Sequence, residues 1–222
     1  MQMNVYEKAD KRIADFLSWI AYSFNSIRRG LNRQSDTLAV FDDLNLLYRQ
    51  IDSYSREMFL SILQDAYNDE SEQRRRRFEE DFLIIILDDP NDFTTVTYSK
   101  ELERHAERFA EQITAAINRA LQSEDRTNEN GVKIPLETEL QKLFDKEYAS
   151  ISLLLDSYMI ETVDTGREYA FVDDGVRRVR WVTILDGKEC DYCRSLNGHV
   201  FPVRRIPTKP HPRCRCYTIR FD

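Results

Sequence analysis

Apolar residues recur at steps of three and four through most of the chain, and each such run marks one face of a helix. Ile13, Phe16, Ile20, Phe24, Ile27 and Leu31 make the first stripe. Gly30 stands where a helix-ending glycine is favoured, and Arg28 and Arg29 fall in the last turn, where cations suit the helix dipole. Ser35 or Asp36 offers an N-cap for a second helix, from about Thr37 to about Tyr67, on the stripe Val40, Leu44, Leu47, Ile51, Tyr54, Met58 and Ile62. Two long stripes joined by a short link imply an antiparallel pair.

The pattern is less decisive over the next stretch. The spacing is read as a third helix from Ser71 through the apolar run Phe82-Leu83-Ile84-Ile85-Ile86-Leu87, stopped by Asp88-Asp89-Pro90-Asn91-Asp92. The four arginines from Arg74 to Arg77 are read as a solvated turn balanced by Glu72, Glu79, Glu80 and Asp81, in preference to a polybasic nucleic-acid motif. Phe93 to Tyr98 reads as a loop. Ser99 then caps a helix carrying Leu102, Ala106, Phe109, Ile113, Ala116 and Ala120. His105 lies beside that stripe among acidic neighbours and is expected at the surface or its boundary. Residues 123–134 are polar and read as a loop. From Pro135 a last long helix carries Leu140, Phe144, Tyr148, Ile151, Leu155, Tyr158 and Thr162. It runs to about Tyr169 and is ended by Asp173-Asp174-Gly175.

Then the period changes from helical to twofold. Val179, Trp181, Thr183 and Leu185 alternate with Arg180, Val182 and Ile184, which is a strand signature. Asp186-Gly187 and Asn197-Gly198 are turns, Val200-Phe201 follows, and Cys216 to Phe221 is a final strand. The expected fold is mainly α. Long antiparallel helices fill residues 1–174, and a small α+β, zinc-stabilised C-terminal module of short strands fills 175–222.

Composition sharpens that division. Four of the six prolines lie between 202 and 212. From Gly175 onward there are eleven Lys plus Arg against four Asp plus Glu, net +7; the chain totals −7, so residues 1–174 carry −14. An acidic body with a basic end suggests two different partners, the basic end meeting nucleic acid or an acidic protein surface. The longest apolar run is far below the roughly 20 residues that cross a bilayer, so no membrane partner is expected.

All four cysteines and two of the three histidines lie in the last thirty-three residues. Cys190 and Cys193 form a C-x-x-C pair, and His211, Cys214 and Cys216 follow. Two thiolates from a tight turn and a second pair from an extended segment can close a tetrahedron around one Zn²⁺. The expected ligands are Cys190, Cys193, Cys216 and either His211 or Cys214, five candidates for four places. Two disulfides would use the same cysteines, but the first 189 residues contain none and no secretory signal opens the sequence. A thioredoxin-like pair needs a helix after the second cysteine within a βαβ unit, and Arg194 to Gly198 read as a turn. A catalytic zinc is disfavoured because no Asp or Glu lies between Cys193 and Cys216. Fewer than fifty residues of short strands bury little apolar area, so a structural metal also suits the size.

Trp181-Val182-Thr183, Asp186, the C-x-x-C pair, Leu196-x-Gly198 and His211-Pro212-x-Cys214-Arg215-Cys216 together resemble the C-terminal module of phage minor head proteins of the Mu-F-like head morphogenesis family. Glu161-Thr162 and Gly166-Arg167 resemble the helix that precedes it. The likeness is specific from about Glu161 to Cys216 and architectural before that. The sequence departs from the family in lacking an arginine often found before Glu161 and in being short. The resemblance implies a virion structural protein, in the phage head or neck and in host cytoplasm during assembly. It would meet the portal or the major capsid protein, with packaged DNA as a further partner, and assist head morphogenesis, DNA packaging or ejection.

No enzyme is expected, since no P-loop, G-x-S-x-G, H-E-x-x-H or paired His and carboxylate near the cysteines is present. Some relatives carry a toxin enzyme after this module, and here six residues follow Cys216. The alternative function is a nucleic-acid-binding zinc module with a helical oligomerisation arm. Arg204, Arg205 and Arg213 are the candidate contacts to nucleic acid or partner. The stripe from Val40 to Ile62 exceeds what a lone hairpin needs, so a homo-oligomer is a further expectation.

Overall fold

The structure, a computed structural model, describes residues 5–32, 37–88, 97–122, 135–184, 189–209, 211, 214 and 216–221. Four long helices dominate: α1 (Val5–Asn32), α2 (Thr37–Glu70), α3 (Tyr98–Gln122) and α4 (Leu136–Asp173). They are followed by β1 (Arg178–Val182), the short helix α5 (Asp191–Leu196), β2 (Val200–Pro202) and β3 (Tyr217–Arg220). The fold is therefore a bundle of long packed helices followed by a small antiparallel sheet, as the periodicities predict. The expected turn at Asp186-Gly187, the caps at Ser35 and Asp36 and the loops at 123–134 and 89–96 lie outside the described residues.

The chain forms two compact units, one of residues 1–13, 56–86 and 153–222, the other of 14–55 and 87–152. The whole of 175–222 lies in the first. In the second unit Phe24 of α1 is the hub. Its ring centroid is 5.7 Å from that of Phe109, 5.6 Å from that of Phe144 and 6.4 Å from that of Tyr48, an aromatic core drawn from all four helices. Trp19 against Tyr54 and Phe24 against Tyr48 pair rising with falling numbers, so α1 and α2 run antiparallel there. Gly30 does not end α1, which continues to Asn32. The cap of α3 is Thr97, whose Oγ1 accepts from Lys100 N at 3.3 Å; Ser99 instead donates to the Asp52 carboxylate at 3.1 Å. His105 is not at the surface. It is buried, with Nδ1 2.8 Å from Glu147 Oε1, and Tyr48 donates to the same oxygen at 2.7 Å. A polar ring beside an apolar stripe takes the interior when a partner on another helix meets it.

In the first unit α1 and α2 are again antiparallel, with Lys8 Nζ 2.6 Å from Asp69 Oδ2 and Arg12 bonded to Asp65. Helix α4 approaches α2 very closely. A Cβ on Gly166 would lie 2.6 Å from Leu63 O and 2.8 Å from Ala66 Cβ. Glycine is required there because the approach is to backbone, which cannot move aside as a side chain can. Thr162 and Ala170, one turn away on either side, are also small and fully buried. Helix α4 ends at a Schellman turn: Val176 N donates to Phe171 O at 2.9 Å, Gly175 N to Val172 O at 3.1 Å, and Gly175 takes φ +76°.

Residues 71–88 depart from the expected helix. After Glu70 the chain is irregular to Glu79, then makes a 3-10 turn (Glu80–Leu83) and a π turn (Ile84–Asp88). Side chains take the backbone donors that a helix would use. The Ser71 hydroxyl accepts from the N–H groups of Gln73 and Arg74, Tyr67 Oη accepts from Arg76 N, and Gln64 Oε1 accepts from Phe78 N. Arg74 has φ +47°, a left-handed conformation that breaks a helix. Within the arginine run, Arg76 turns away from the acidic neighbours expected to balance it. Arg76 bonds to Asp173 through Nε at 2.9 Å and Nη2 at 2.7 Å, and lies 4.9 Å over the Tyr169 ring.

Two carboxylates at the end of α4 hold this segment and β3. The bond from Arg76 keeps the Asp173 pKa below its ordinary 3.8, against the opposing effect of partial burial. For Asp174 burial opposes ionisation, but Glu72 N–H, Arg220 and the Ser71 hydroxyl outweigh it, and its pKa too lies below 3.8. A depressed carboxyl pKa contributes stability that is full above the unfolded value and is lost as pH falls through the folded one. Urea midpoints should thus hold flat from neutrality to about pH 5 and fall steeply below about pH 4. In Asp173→Asn and Asp174→Asn variants that acid-side slope should be shallower.

The sheet has the order β2-β1-β3, antiparallel throughout, with Val179 opposite Phe201 and Trp181 opposite Thr218. Alternation along β1 turns Val179 and Trp181 inward. Val179 packs with Phe171, Val176 and Val203; Trp181 packs with three cysteines. Arg167 of α4 fastens the sheet to the helices. Its Nη2 donates to Thr218 O at 2.7 Å and lies 2.9 Å from Glu70 Oε2, and its guanidinium is 5.6 Å from the Phe171 ring centroid and 5.8 Å from those of Tyr6 and Tyr217. Arg220 of β3 adds bonds to Glu70 O and to Asp174 Oδ2, the latter at 2.7 Å.

Candidate metal centre

The four cysteines and His211 converge. Sγ atoms of Cys193, Cys214 and Cys216 lie within 4.8 Å of one another, and the ligand atoms of Cys190, Cys193 and His211 do likewise. Cys193 belongs to both groups. Cys193, Cys214 and Cys216 are buried, whereas Cys190 and His211 are half-buried. All four thiols are free, the Cys193 and Cys214 sulfurs lying 3.4 Å apart. A tetrahedral ion with metal–sulfur bonds near 2.3 Å sets its sulfurs about 3.8 Å apart, so this donor set can hold a metal such as zinc with small adjustments.

Each ligand is placed by local structure. Cys190 is the N-cap of α5, its Sγ accepting from Cys193 N at 3.4 Å. That geometry turns both sulfurs of the C-x-x-C pair to one side. The residues after Cys193 thus begin as a short helix where a turn is expected, although the sheet is antiparallel and no βαβ unit is formed among the described residues. The Asn197-Gly198 turn closes it, with Gly198 at φ +80° and its N–H donating to Trp181 O at 2.9 Å. Cys214 and Cys216 share the buried cluster with Cys193 and Trp181. The approach to His211 is held by Lys209, whose Nζ is 2.7 Å from Asp164 Oδ2 and 5.2 Å from the Tyr6 ring centroid.

Two supporting residues are not evident from ligand spacing. The Thr183 hydroxyl donates to Cys193 O at 2.6 Å, and Thr183 N donates to Asn197 Oδ1 at 3.0 Å, which locks the C-x-x-C turn onto β1. Beyond its place in the Trp181-Val182-Thr183 resemblance, its sequence signal is a polar residue at an inward phase of the strand, after Val179 and Trp181. Trp181 is the other. Its buried Nε1–H has no hydrogen-bond partner among the described residues, and it packs in one cluster with three thiols. A metal-bound thiolate is the kind of acceptor such an orphan donor takes.

The thiols differ in their readiness to ionise. The Cys193 N–H lowers the Cys190 pKa, with burial opposing and the Cys193 thiol and His211 adding to the lowering. Burial pushes Cys193 far up, and the three neighbouring thiols push it further. Burial also raises Cys214. Crowding several sulfurs into so dry a space is costly for thiolates alone and favourable around a cation.

Of the basic candidates, Arg204 and Arg205 are exposed on a 3-10 turn (Val203–Arg205), and Arg213 lies outside the described residues. No helix among the described residues is long and apolar enough to cross a membrane. No family model, curated protein or solved structure matches the chain.

Proposed function

We propose that this chain is a non-catalytic structural protein of a phage head, assisting assembly or DNA packaging and ejection by binding the portal or major capsid protein. The observation that carries the reading is where the residues of the family resemblance fall. Thr162 and Gly166 make the tight approach of α4, Arg167 fastens β3, and Trp181 and Thr183 surround the cysteine and histidine cluster. Residues shared because of one architecture should build one unit, and these all belong to the first. One structural zinc per chain completes it. Cys193, Cys214 and Cys216 supply three bonds and either Cys190 or His211 the fourth. In this reading the acidic helices dock on the particle, and the +7 terminal residues face DNA or an acidic protein rim.

The test is co-purification with a portal ring or procapsid from cells making the particle. The reading expects association that survives replacing Arg204, Arg205 and Arg213 with Ala. Any DNA binding should weaken, and its salt dependence should flatten by about one counterion for each phosphate no longer neutralised. If the triple change frees the protein from the particle and leaves DNA binding intact, the division of labour is reversed. Free protein with steeply salt-dependent DNA affinity favours the nucleic-acid-binding zinc module.

A further inference from the structure

We propose that the outer face of the three-stranded sheet is a docking surface for an acidic amphipathic helix of a partner protein. The register sets the face. Arg180 of β1 stands between Val200 of β2 and Ile219 of β3, and Phe221 follows two residues after Ile219 on the same side. The opposite face is filled by Phe171, Val203 and the cysteine cluster, whereas Val200 and Ile219 remain 37% and 39% exposed.

Two guanidiniums on this face have no counter-charge among the described residues. Arg178 and Arg180 sit 5.4 Å and 4.2 Å from the centroid of the Phe221 ring, and neither has a carboxylate partner among the described residues. The other arginines of this unit that stack on rings, Arg76, Arg167 and Arg220, all pair with carboxylates as well. Arg178 and Arg180 therefore present the stacked half of the same arrangement, open to an acid from outside.

The chemistry favours protein over nucleic acid. Arginine and aromatic residues are enriched in protein interfaces, where lysine and acidic residues are depleted, and none of the described strand residues on this face is lysine or acidic. Exposed valine and isoleucine add nothing to phosphate binding, but fit the apolar positions of a helix. Residues two apart on a strand are about 6.7 Å apart. Carboxylates four apart on a helix are separated by about 6 Å, so one helix face can meet both guanidiniums while its leucines cover Val200 and Ile219. The inference builds on the assembly reading by giving a protein partner its docking face, but its test is separate and can fail while association with the particle stands.

The probe is a synthetic helix of roughly 18 residues, long enough to be helical alone, with Glu at i and i+4 beside a leucine stripe. Binding to the metal-loaded full chain is followed by fluorescence anisotropy. Arg178→Glu with Arg180→Glu should weaken it about tenfold or more, Arg204→Ala with Arg205→Ala should leave it unchanged, and a Lys-for-Glu peptide should recover binding to the charge-reversed protein. Circular dichroism and metal content establish that each variant is folded, and the milder Arg178→Gln with Arg180→Gln pair should weaken binding in the same direction. No binding of the Glu peptide to folded protein overturns the proposal. So does tighter, salt-steep binding of a duplex of about 20 base pairs that is abolished by the same reversal, since the face is then a nucleic-acid site. Concentration-dependent self-association abolished by the reversal would overturn it in favour of a second copy.

Discussion

Cys193→Ser should cost the terminal residues both their metal and their fold, while the long helices remain. Cys193 is common to both groups of ligand atoms, is buried beside Trp181, and has its carbonyl fixed by Thr183. Structural zinc stabilises small domains by about 10 kcal/mol or more in apparent terms, comparable with the total stability of many whole domains. The residues around it have little else. Val179, Trp181 and Val203 are the main apolar side chains that the sheet and its turn bury. Limited proteolysis should therefore cut rapidly between about residues 178 and 221, with most of the helical circular dichroism retained. Chelation of the unaltered protein should do the same. His211→Ala should be far milder, because four thiols remain. Variants of Cys193 that stay protected in this region would show that the sheet does not depend on a metal.

Arg167→Ala should be the most damaging change outside the cluster. The Arg167 side chain is only 9% exposed and its partner Glu70 22%. Burial disfavours its charge, yet Tyr6, Glu70 and Asp164 outweigh this and raise its pKa. Removing it leaves Glu70 with only the 3.4 Å contact of Arg220 Nε among the described residues, strips the carbonyl of Thr218 of its guanidinium donor and leaves a gap among Tyr6, Phe171 and Tyr217. Breaking a buried pair by deleting one partner costs about 3–5 kcal/mol, and the partial exposure of Glu70 puts the expectation near the lower end. In a chain of this size that is a fall in Tm of roughly 6–12 °C. Adding Glu70→Leu to Arg167→Met should recover part of the loss, because a packed apolar pair leaves no orphan charge. A single-variant loss below about 1 kcal/mol would mean that Arg220 alone suffices to hold β3.

The sequence was legible wherever the outcome depended on near neighbours in the chain. Val40, Leu44, Leu47, Ile51 and Ile62 face the core by helical period alone and α2 follows, although Tyr54 of the same stripe is exposed and Ser55 and Phe59 are buried beside it. The spacing likewise turns the two sulfurs of C-x-x-C, and the two of C-x-C, to one side each because these are local geometries; that the two pairs meet across about twenty residues depends on the sheet that lies between them. Residues 71–88 were not legible, since their conformation is set by Tyr67, Gln64 and a carboxylate at Asp173, about a hundred residues away. The burial of His105 is hidden from the sequence for the same reason. Nothing around it in the chain shows that Glu147 will meet it in the core. The short helix α5 is not evident in the sequence because six residues carry too little periodicity to register.

The central claim is that the cysteines and His211 form a metal centre, and metal content tests it most directly. Protein purified without chelator should contain about one zinc per chain by elemental analysis, with thiols that react only after the metal is removed. A folded, metal-free protein whose sheet is intact, or one with Cys190, Cys193, Cys214 and Cys216 joined in two disulfides, would contradict it.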